Sequence, residues 1–390
     1  MLFAGRSLAP PDKTRGFGMT PKEATFFVAA ARSSSQLLIP FSFMPDFSIG
    51  VDLGGTNLRV AAVSREGKLL EKVNVPTKTA LGPDRSVDEM CSAIERVAAT
   101  HRMAGKFLGA GIGVLGIIEA ETGTVRKSAN FPGWEDYPVR DAIEGRLLAS
   151  GLLRENLSLV LDNDANMAAL GEQWLGAARG VPNVAVITLG TGIGGGIVLN
   201  GKIWAGMNGM AGEFGHMTVE PDGVPCGCGN RGCAERYASA SAIMRMACEA
   251  VASGNAPSLA EAASGDSEAG AKSIYDLAMR GDEPARRIFR TFGRYLGIML
   301  ADAMNVLDLE MYVLGGGVAA AWDAFAPSMF DEMKSRSLVY AATAPEDPLR
   351  CEQLMEGRAP SSVRGTIVTR ALLGGDAGLF GAAHAADMRQ

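Results

Sequence analysis

Twice in 390 residues the chain runs an apolar strand into a glycine turn and out again along a second strand. The first copy is FSIGVDLGGTNLRVAAVSREGKLLEKVNV, from Phe47. Its opening strand ends at Asp52, turns through Gly54, Gly55, Thr56 and Asn57, and adds a third strand after Glu66-Gly67. NVAVITLGTGIGGGIVLNGKIWAG repeats the plan, with strand 184–189, a glycine turn, strand 195–199, an Asn200-Gly201 hairpin turn and a further strand. Asp52-Leu-Gly-Gly-Thr aligns with Thr188-Leu-Gly-Thr-Gly. Two halves of one design predict a pseudo-duplicated α/β fold with a cleft between them. Each hairpin alone also reads as an ordinary glycine turn. Glycines at such turns let backbone N–H groups approach phosphate oxygens with no Cβ in the way.

Rival nucleotide motifs fail on context. GIGVLG at 111–116 and residues 190–195 both match G-x-G-x-x-G, but the first runs on into IIEAETG, with no helix to receive a pyrophosphate. The three Gly-Lys pairs precede Leu, Phe and Ile, which excludes a P-loop. A third glycine turn, YVLGGGV at 312–318, sets Gly315, Gly316 and Gly317 behind another apolar strand.

Between the hairpins, LSLVLDNDANMAALGEQWLGAARG carries a β-rich run, 157–161, into Asp162-Asn163-Asp164-Ala165-Asn166, with a helix from about Met167. Acids at a strand-to-helix junction often cap the helix. The alternative is a general base that takes the proton of an attacking hydroxyl during phosphoryl transfer.

Histidine and cysteine are scarce, three and six in the whole chain, yet GEFGHMTVEPDGVPCGCGNRGCAERY at 212–237 gathers His216, Cys226, Cys228 and Cys233. Zinc takes four N and S ligands tetrahedrally, and glycine-rich loops let them converge. The spacing differs from that of the usual zinc finger, and disulfides are the rival reading, although a cytoplasmic chain seldom keeps them. Glu213 and Glu235, taken alone, read as solvated surface groups. Cys91, Cys248 and Cys351 read as packing residues.

The three glycine turns resemble the nucleotide-contacting turns of the actin-like ATPase superfamily, which holds sugar kinases, actin and the seventy-kilodalton heat-shock chaperones. The Asp52 hairpin, the Asn163-Asp164 pair and the complete H…CxCGxxGCxE pattern from His216 to Glu235 together resemble the ROK family (repressors, open reading frames and kinases). The likeness is greatest to its bacterial glucokinases and covers residues 47 to about 386. It implies an actin-like, ribonuclease H-like α/β fold of two lobes around a central cleft. The small lobe would be 47–166, completed by a C-terminal helix within 373–390; the large lobe would be 167–372. It implies ATP-dependent phosphorylation of a hexose, glucose foremost, at the 6-hydroxyl. Asp164 would be the base, and Gly116, Asn130, Asn163, Asp164, Glu213, His216 and Glu235 would bind the sugar. Asp52 would organise Mg2+ through water, and Gly54, Gly55, Thr56 and Asn57 would face the phosphates. Thr191, Gly192, Gly194 and Gly195 would meet the nucleotide from the other lobe, with Gly315, Gly316 and Gly317 on the adenosine side. His216, Cys226, Cys228 and Cys233 would hold a closed, structural zinc, leaving the second nitrogen of His216 for a sugar hydroxyl. Leu115 departs from the proline common in the family.

N-acetylglucosamine, N-acetylmannosamine, fructose and allose kinases of the family share these motifs, and polyphosphate is an alternative donor. A sugar-responsive repressor would need an N-terminal DNA-binding domain that the loosely composed residues 1–46, read as a poorly ordered extension, do not supply. A chaperone-like or filament-forming ATPase would leave the cysteine cluster without a role. The net charge of −6 argues against a broad nucleic-acid surface, and no apolar run approaches the roughly 18 residues of a membrane span. The expected partners are a hexose and ATP, the expected assembly a homodimer or homotetramer, and the expected location the cytoplasm. Residues 284–310 read as a long amphipathic helix, either core or interface. Residues 253–272 read as a loose surface loop or short helix, and Trp134 as pocket wall or core.

Overall fold

The computed structural model describes residues 45–55, 57–77, 82–103, 105–128, 131–154, 157–350 and 365–388. Residues 1–44 of the N-terminal extension, Thr56, Asn130 and Cys351 lie outside the described residues. In the first half, β1 (Phe47–Leu53), β2 (Asn57–Ser64) and β3 (Leu69–Pro76) form an antiparallel meander. After α1 (Pro83–His101), β4 (Phe107–Val114) joins β1 in parallel. A small flap of β5 (Ile117–Glu119) and β6 (Thr124–Lys127), then α2 (Val139–Ala149), lead to β7 (Ser158–Asn163), parallel to β4. The order is β3-β2-β1-β4-β7.

Helix α3 (Asp164–Trp174) leads to the second half, which opens with another meander: β8 (Val184–Leu189), β9 (Ile193–Leu199) and β10 (Lys202–Ile203). Asn200 and Gly201 take φ of 53° and 74°, the left-handed pair that a two-residue hairpin needs. Helices α4 (Ala240–Ala252), α5 (Ser267–Met279) and α6 (Glu283–Leu307) precede β11 (Met311–Gly315), parallel to β8. Helices α7 (Trp322–Arg336) and α8 (Leu338–Thr343) and strand β12 (Ile367–Arg370) complete the order β10-β9-β8-β11-β12. Helix α9 (Ala377–Met388) ends the described chain. Each pairing in the second sheet has the sense of its counterpart in the first, so the duplication read from two hairpins extends to both sheets.

Apolar strand faces dictate the layers. Val87, Met90, Ile94 and Val97 of α1 bury against Ile49, Val51 and Val60 on one side of the first sheet. Helices α3 and α9 cover the other side. Ala169 of α3 also packs with Val186 and Val198 of the second sheet, whose far face is covered by the large core of α4 to α8. Asp282 caps α6 by accepting the Ala285 N–H at 2.9 Å, and Phe289, Phe292, Leu296, Met299 and Leu300 bury its inner stripe. Among the described residues no helix is long and apolar enough to cross a membrane.

Two expectations are corrected and one is narrowed. Cys248 is exposed on α4, because the buried face of that helix runs through Ile243, Met244 and Ala247. The stretch 253–272 takes the short-helix alternative: on a largely exposed surface run, 3-10 turns at Pro257–Leu259 and Ala262–Ser264 seat Ala256 and Leu259 in the core before α5 begins. Helix α3 starts at Asp164 and not near Met167, because Asn163 caps it. The remaining open choice for Trp134 resolves as core, since the ring is fully buried beside Phe131.

Helix α9 reaches the first sheet through glycine. A Cβ on Gly111 of β4 would stand 1.8 Å from the Ala382 carbonyl oxygen, and one on Gly381 would stand 1.7 Å from the Met167 oxygen of α3. Backbone meets backbone at both places, so no side chain can yield. Gly111→Ala should therefore destabilise the protein by about 3 kcal/mol or more. Gly145→Ala in α2, where a Cβ meets nothing within 4 Å, should stabilise it by about 0.5–1 kcal/mol, both read by urea unfolding.

Candidate functional site

The ends of three adjacent strands make the floor of the site. Asp52 on β1 pairs with Gly113 on β4, which pairs with Asp162 on β7. Just beyond, Asn163 turns the chain into α3: its side-chain oxygen accepts the Ala165 N–H at 2.8 Å, and its Nδ2 donates to the Gly116 carbonyl at 3.0 Å. Asp162 accepts the Asn163 N–H at 2.7 Å and Nδ2 of Asn166 at 2.9 Å. The cap is thus Asn163, and Asp164 is the first residue of the helix. Its carboxyl is raised to about 6, by burial first and by the Asp52 charge second, against the pull of the Ala165 and Asp164 N–H groups and Arg59. Asp52 is raised as well, by burial, with Arg59 opposing. That arginine lies directly across the ladder on β2, and it bridges Asp52 and the Gly375 carbonyl just before α9.

The second hairpin closes on the same place. A Cβ at Gly194 would come within 3.3 Å of the Ala165 Cβ, so the first turn of α3 touches both halves. Gly315 pairs with Thr188, bringing the third glycine turn beside the second. At Gly190 and Gly317 a Cβ would meet nothing within 4 Å, so the two turns offer bare backbone to open space. At Gly192 a Cβ would stand 2.8 Å from Oε2 of Glu235, so the hairpin and the cysteine segment are in contact.

In that segment Cys228 Sγ lies 3.6 Å from Cys233 Sγ, and Cys226 Sγ lies 3.8 Å from Nδ1 of His216. All four ligand atoms lie within 4.8 Å of one another. A tetrahedral ion with bonds of about 2.0–2.3 Å sets its ligands about 3.5–3.8 Å apart, so this donor set fits one. The five described cysteines are free, which disposes of the disulfide alternative for the cluster. His216 turns Nδ1 to the cysteines and leaves Nε2 3.7 Å from Glu213 Oε2, while Glu235 Oε1 lies 3.8 Å from Nδ1.

The family model described as "ROK family" matches residues 48–387. This chain belongs to the ROK family. It is 37% identical over 300 residues to a glucokinase of Halalkalibacterium halodurans, covering 76% of this chain and 88% of that one. It is 33% identical over 274 residues to an N-acetylmannosamine kinase of Yersinia pestis, covering 70% and 83%. The solved ROK family glucokinase of Streptomyces griseus, in complex with glucose and AMPPNP, superposes with a TM-score of 0.67 at 34% identity, covering 88% of this chain and 99% of that one. The fold of this ROK protein is accordingly the actin-like α/β fold expected from its motifs.

Within this ROK chain the structure brings together Asp52, Asn163, Asp164 and Gly116 on one side. It brings Thr191, Gly192, Gly194 and Gly195 beside Gly315, Gly316 and Gly317 on the other. Glu213, His216 and Glu235 gather around the cysteines. Gly54 and Asn57 close the first turn through an N–H to carbonyl bond of 3.0 Å, with Gly55 between them; Thr56 and Asn130 lie outside the described residues. Arg59 escaped the sequence reading; its signal is the antiparallel register, which sets residue 59 opposite residue 52.

The raised Asp164 has a stability consequence. A carboxyl whose folded pKa lies above its unfolded value costs nothing below the unfolded pKa and its full penalty above the folded one. Asp164→Asn should therefore gain about 1–2 kcal/mol over wild type near pH 8, allowing for partial exposure, and little near about pH 3, below the unfolded pKa. Urea unfolding at both values reads it.

Proposed function

We propose that this chain is a hexose kinase that transfers the γ-phosphoryl group of ATP to the 6-hydroxyl of glucose. The observation that carries the reading is the half-buried Asp164 carboxyl in the first turn of α3, where residues of both halves meet. Its pKa near 6 suits a base working at neutral pH. The carboxylate accepts the proton of the 6-hydroxyl as that oxygen bonds to the γ-phosphorus and the bond from phosphorus to the ADP oxygen breaks. Asn163 and Gly116 hold the adjoining wall of the sugar site, and the turns at 190–195 and 315–317, open at Gly190 and Gly317, would cradle the nucleotide. Mg2+, which Asp52 would hold through water, neutralises phosphate charge when bound with ATP.

His216, Cys226, Cys228 and Cys233 suit zinc in chemistry and spacing, and four protein ligands leave no open position, so the metal would be structural. The cluster then keeps Nε2 of His216, with Glu213 and Glu235, ready to receive sugar hydroxyls. Closure of the 47–166 and 167–372 lobes around the sugar would align the reacting atoms and exclude water.

Likeness to the glucokinases favours glucose, and the Yersinia pestis relative makes N-acetylmannosamine the competing substrate. A coupled ADP-release assay across hexoses and N-acetylhexosamines decides between them: a higher kcat/KM for an amino sugar would move the assignment and keep the mechanism. Asp164→Asn should retain sugar binding and lose about 10²–10⁴ in kcat, and a wild-type kcat would sink the base assignment. Elemental analysis of the wild-type protein should find about one zinc per chain, and Cys228→Ser should release it and lower Tm; a stable, metal-free wild type would refute the structural role.

A further inference from the structure

The hairpin that carries the three cysteine ligands has little core of its own. Within 217–233 only Cys226, Gly232 and Cys233 are buried. Two tyrosines grip it from outside. Tyr295, on α6, donates its hydroxyl proton to Oε2 of Glu220 at 3.1 Å. The phenol oxygen of Tyr237 accepts the Val224 N–H at 2.8 Å. Their rings pack with centroids 4.2 Å apart, and the Arg294 guanidinium lies 5.6 Å from the Tyr295 centroid.

The gripped residues are the ones that frame a ligand. Val219 and Glu220 donate their N–H groups to the Gly232 carbonyl at 2.8 and 3.3 Å, and Gly232 donates its own to Val224 at 2.9 Å. Gly232 immediately precedes Cys233, and a Cβ there would stand 1.6 Å from the Glu220 carbonyl oxygen. On the other side, Phe292, Leu296 and Met299 hold Tyr295 within a helix whose inner face is fully buried.

We propose that Tyr295 is a positioning residue for the sugar site: from α6 it fixes the metal hairpin, and through Cys233 and Glu235 it sets where His216 and Glu235 meet the sugar. The inference rests on the sugar-kinase reading. Tyr295→Phe in the full chain keeps the ring stack and removes only the bond to Glu220. Amide hydrogen exchange over 219–233 should then accelerate about tenfold, the ratio for losing one hydrogen bond to a carboxylate. The buried stripe of α6 should keep its protection. The KM for the preferred hexose should rise about fivefold or more, with kcat and the KM for ATP within about twofold of wild type. Glu220→Gln, which preserves an acceptor, should stay near wild type in both measurements. Unchanged exchange over 219–233 overturns the proposal. So does faster exchange across α6 with kcat and both KM values moving together, since that describes a merely structural residue. A wild-type chain inactive on every hexose sinks the sugar-kinase reading, while the exchange comparison still decides whether Tyr295 holds the hairpin.

Discussion

The site depends first on how the end of the chain returns to its beginning. After β12 leaves the second sheet, the backbone crosses to the first over Glu172, at the end of α3. That carboxylate is fully buried and accepts the N–H groups of Ala177, Leu372 and Leu373 at 2.8, 3.1 and 2.8 Å. A buried carboxyl is tolerable when amide donors satisfy it, and here the donors come from the chain just after α3 and from the crossing itself. The crossing delivers the start of α9 to Asp52, where a Cβ on Gly378 would lie 3.4 Å from Oδ2. The surroundings of an acid at residue 52 are thus set by residues more than 300 positions later.

The charge balance of the floor follows from that arrangement. Asp52 and Asp164 share one corner with the Arg59 guanidinium, which the returning chain holds through the Gly375 carbonyl. Burial pushes both acids toward neutrality, and Arg59 opposes it at both. A further cation beside Asp52 would act in the same sense as Arg59 and favour the ionised Asp164. If Asp164 is the base proposed above, it would be better prepared with nucleotide and metal in place than without them.

What the sequence disclosed was local chemistry. Glycine at a strand end, Asn-Gly between strands and cysteines in a tight loop each state their backbone demand within a few residues. Those features sit where they were expected, and the repeated hairpin extends to a repeated sheet. What stayed hidden depends on register or on which helix face is buried. Arg59 belongs to the floor because seven residues of hairpin bring it opposite Asp52. Cys248 points outward because the core takes Ile243, Met244 and Ala247 instead. The stretch from 256 to 264 looked loose because a single leucine among small residues makes no periodic pattern, yet Leu259 is wholly buried. Glu220 and Tyr295, 75 positions apart, carry no mutual signal at all.

The glycine turn between β8 and β9 and Glu235, far apart in sequence, are joined by a short run of contacts. Glu235 lies against Gly192, and the residues that follow it are stitched to the same turn. The Ala240 N–H donates to the Gly190 carbonyl at 2.8 Å, and the Ser241 hydroxyl donates to the Thr191 carbonyl at 2.8 Å. Ser239 ties the stretch back on itself by donating to the Glu235 carbonyl at 2.6 Å. On the reading proposed above, a ligand that displaced Glu235 would displace the turn between β8 and β9 as well, and a ligand on that turn would displace Glu235. Affinity coupling of this kind is reciprocal by thermodynamic necessity. The contacts that would carry it are short and lie within one stretch, from Glu235 to Ser241, so each end has little freedom to move without the other.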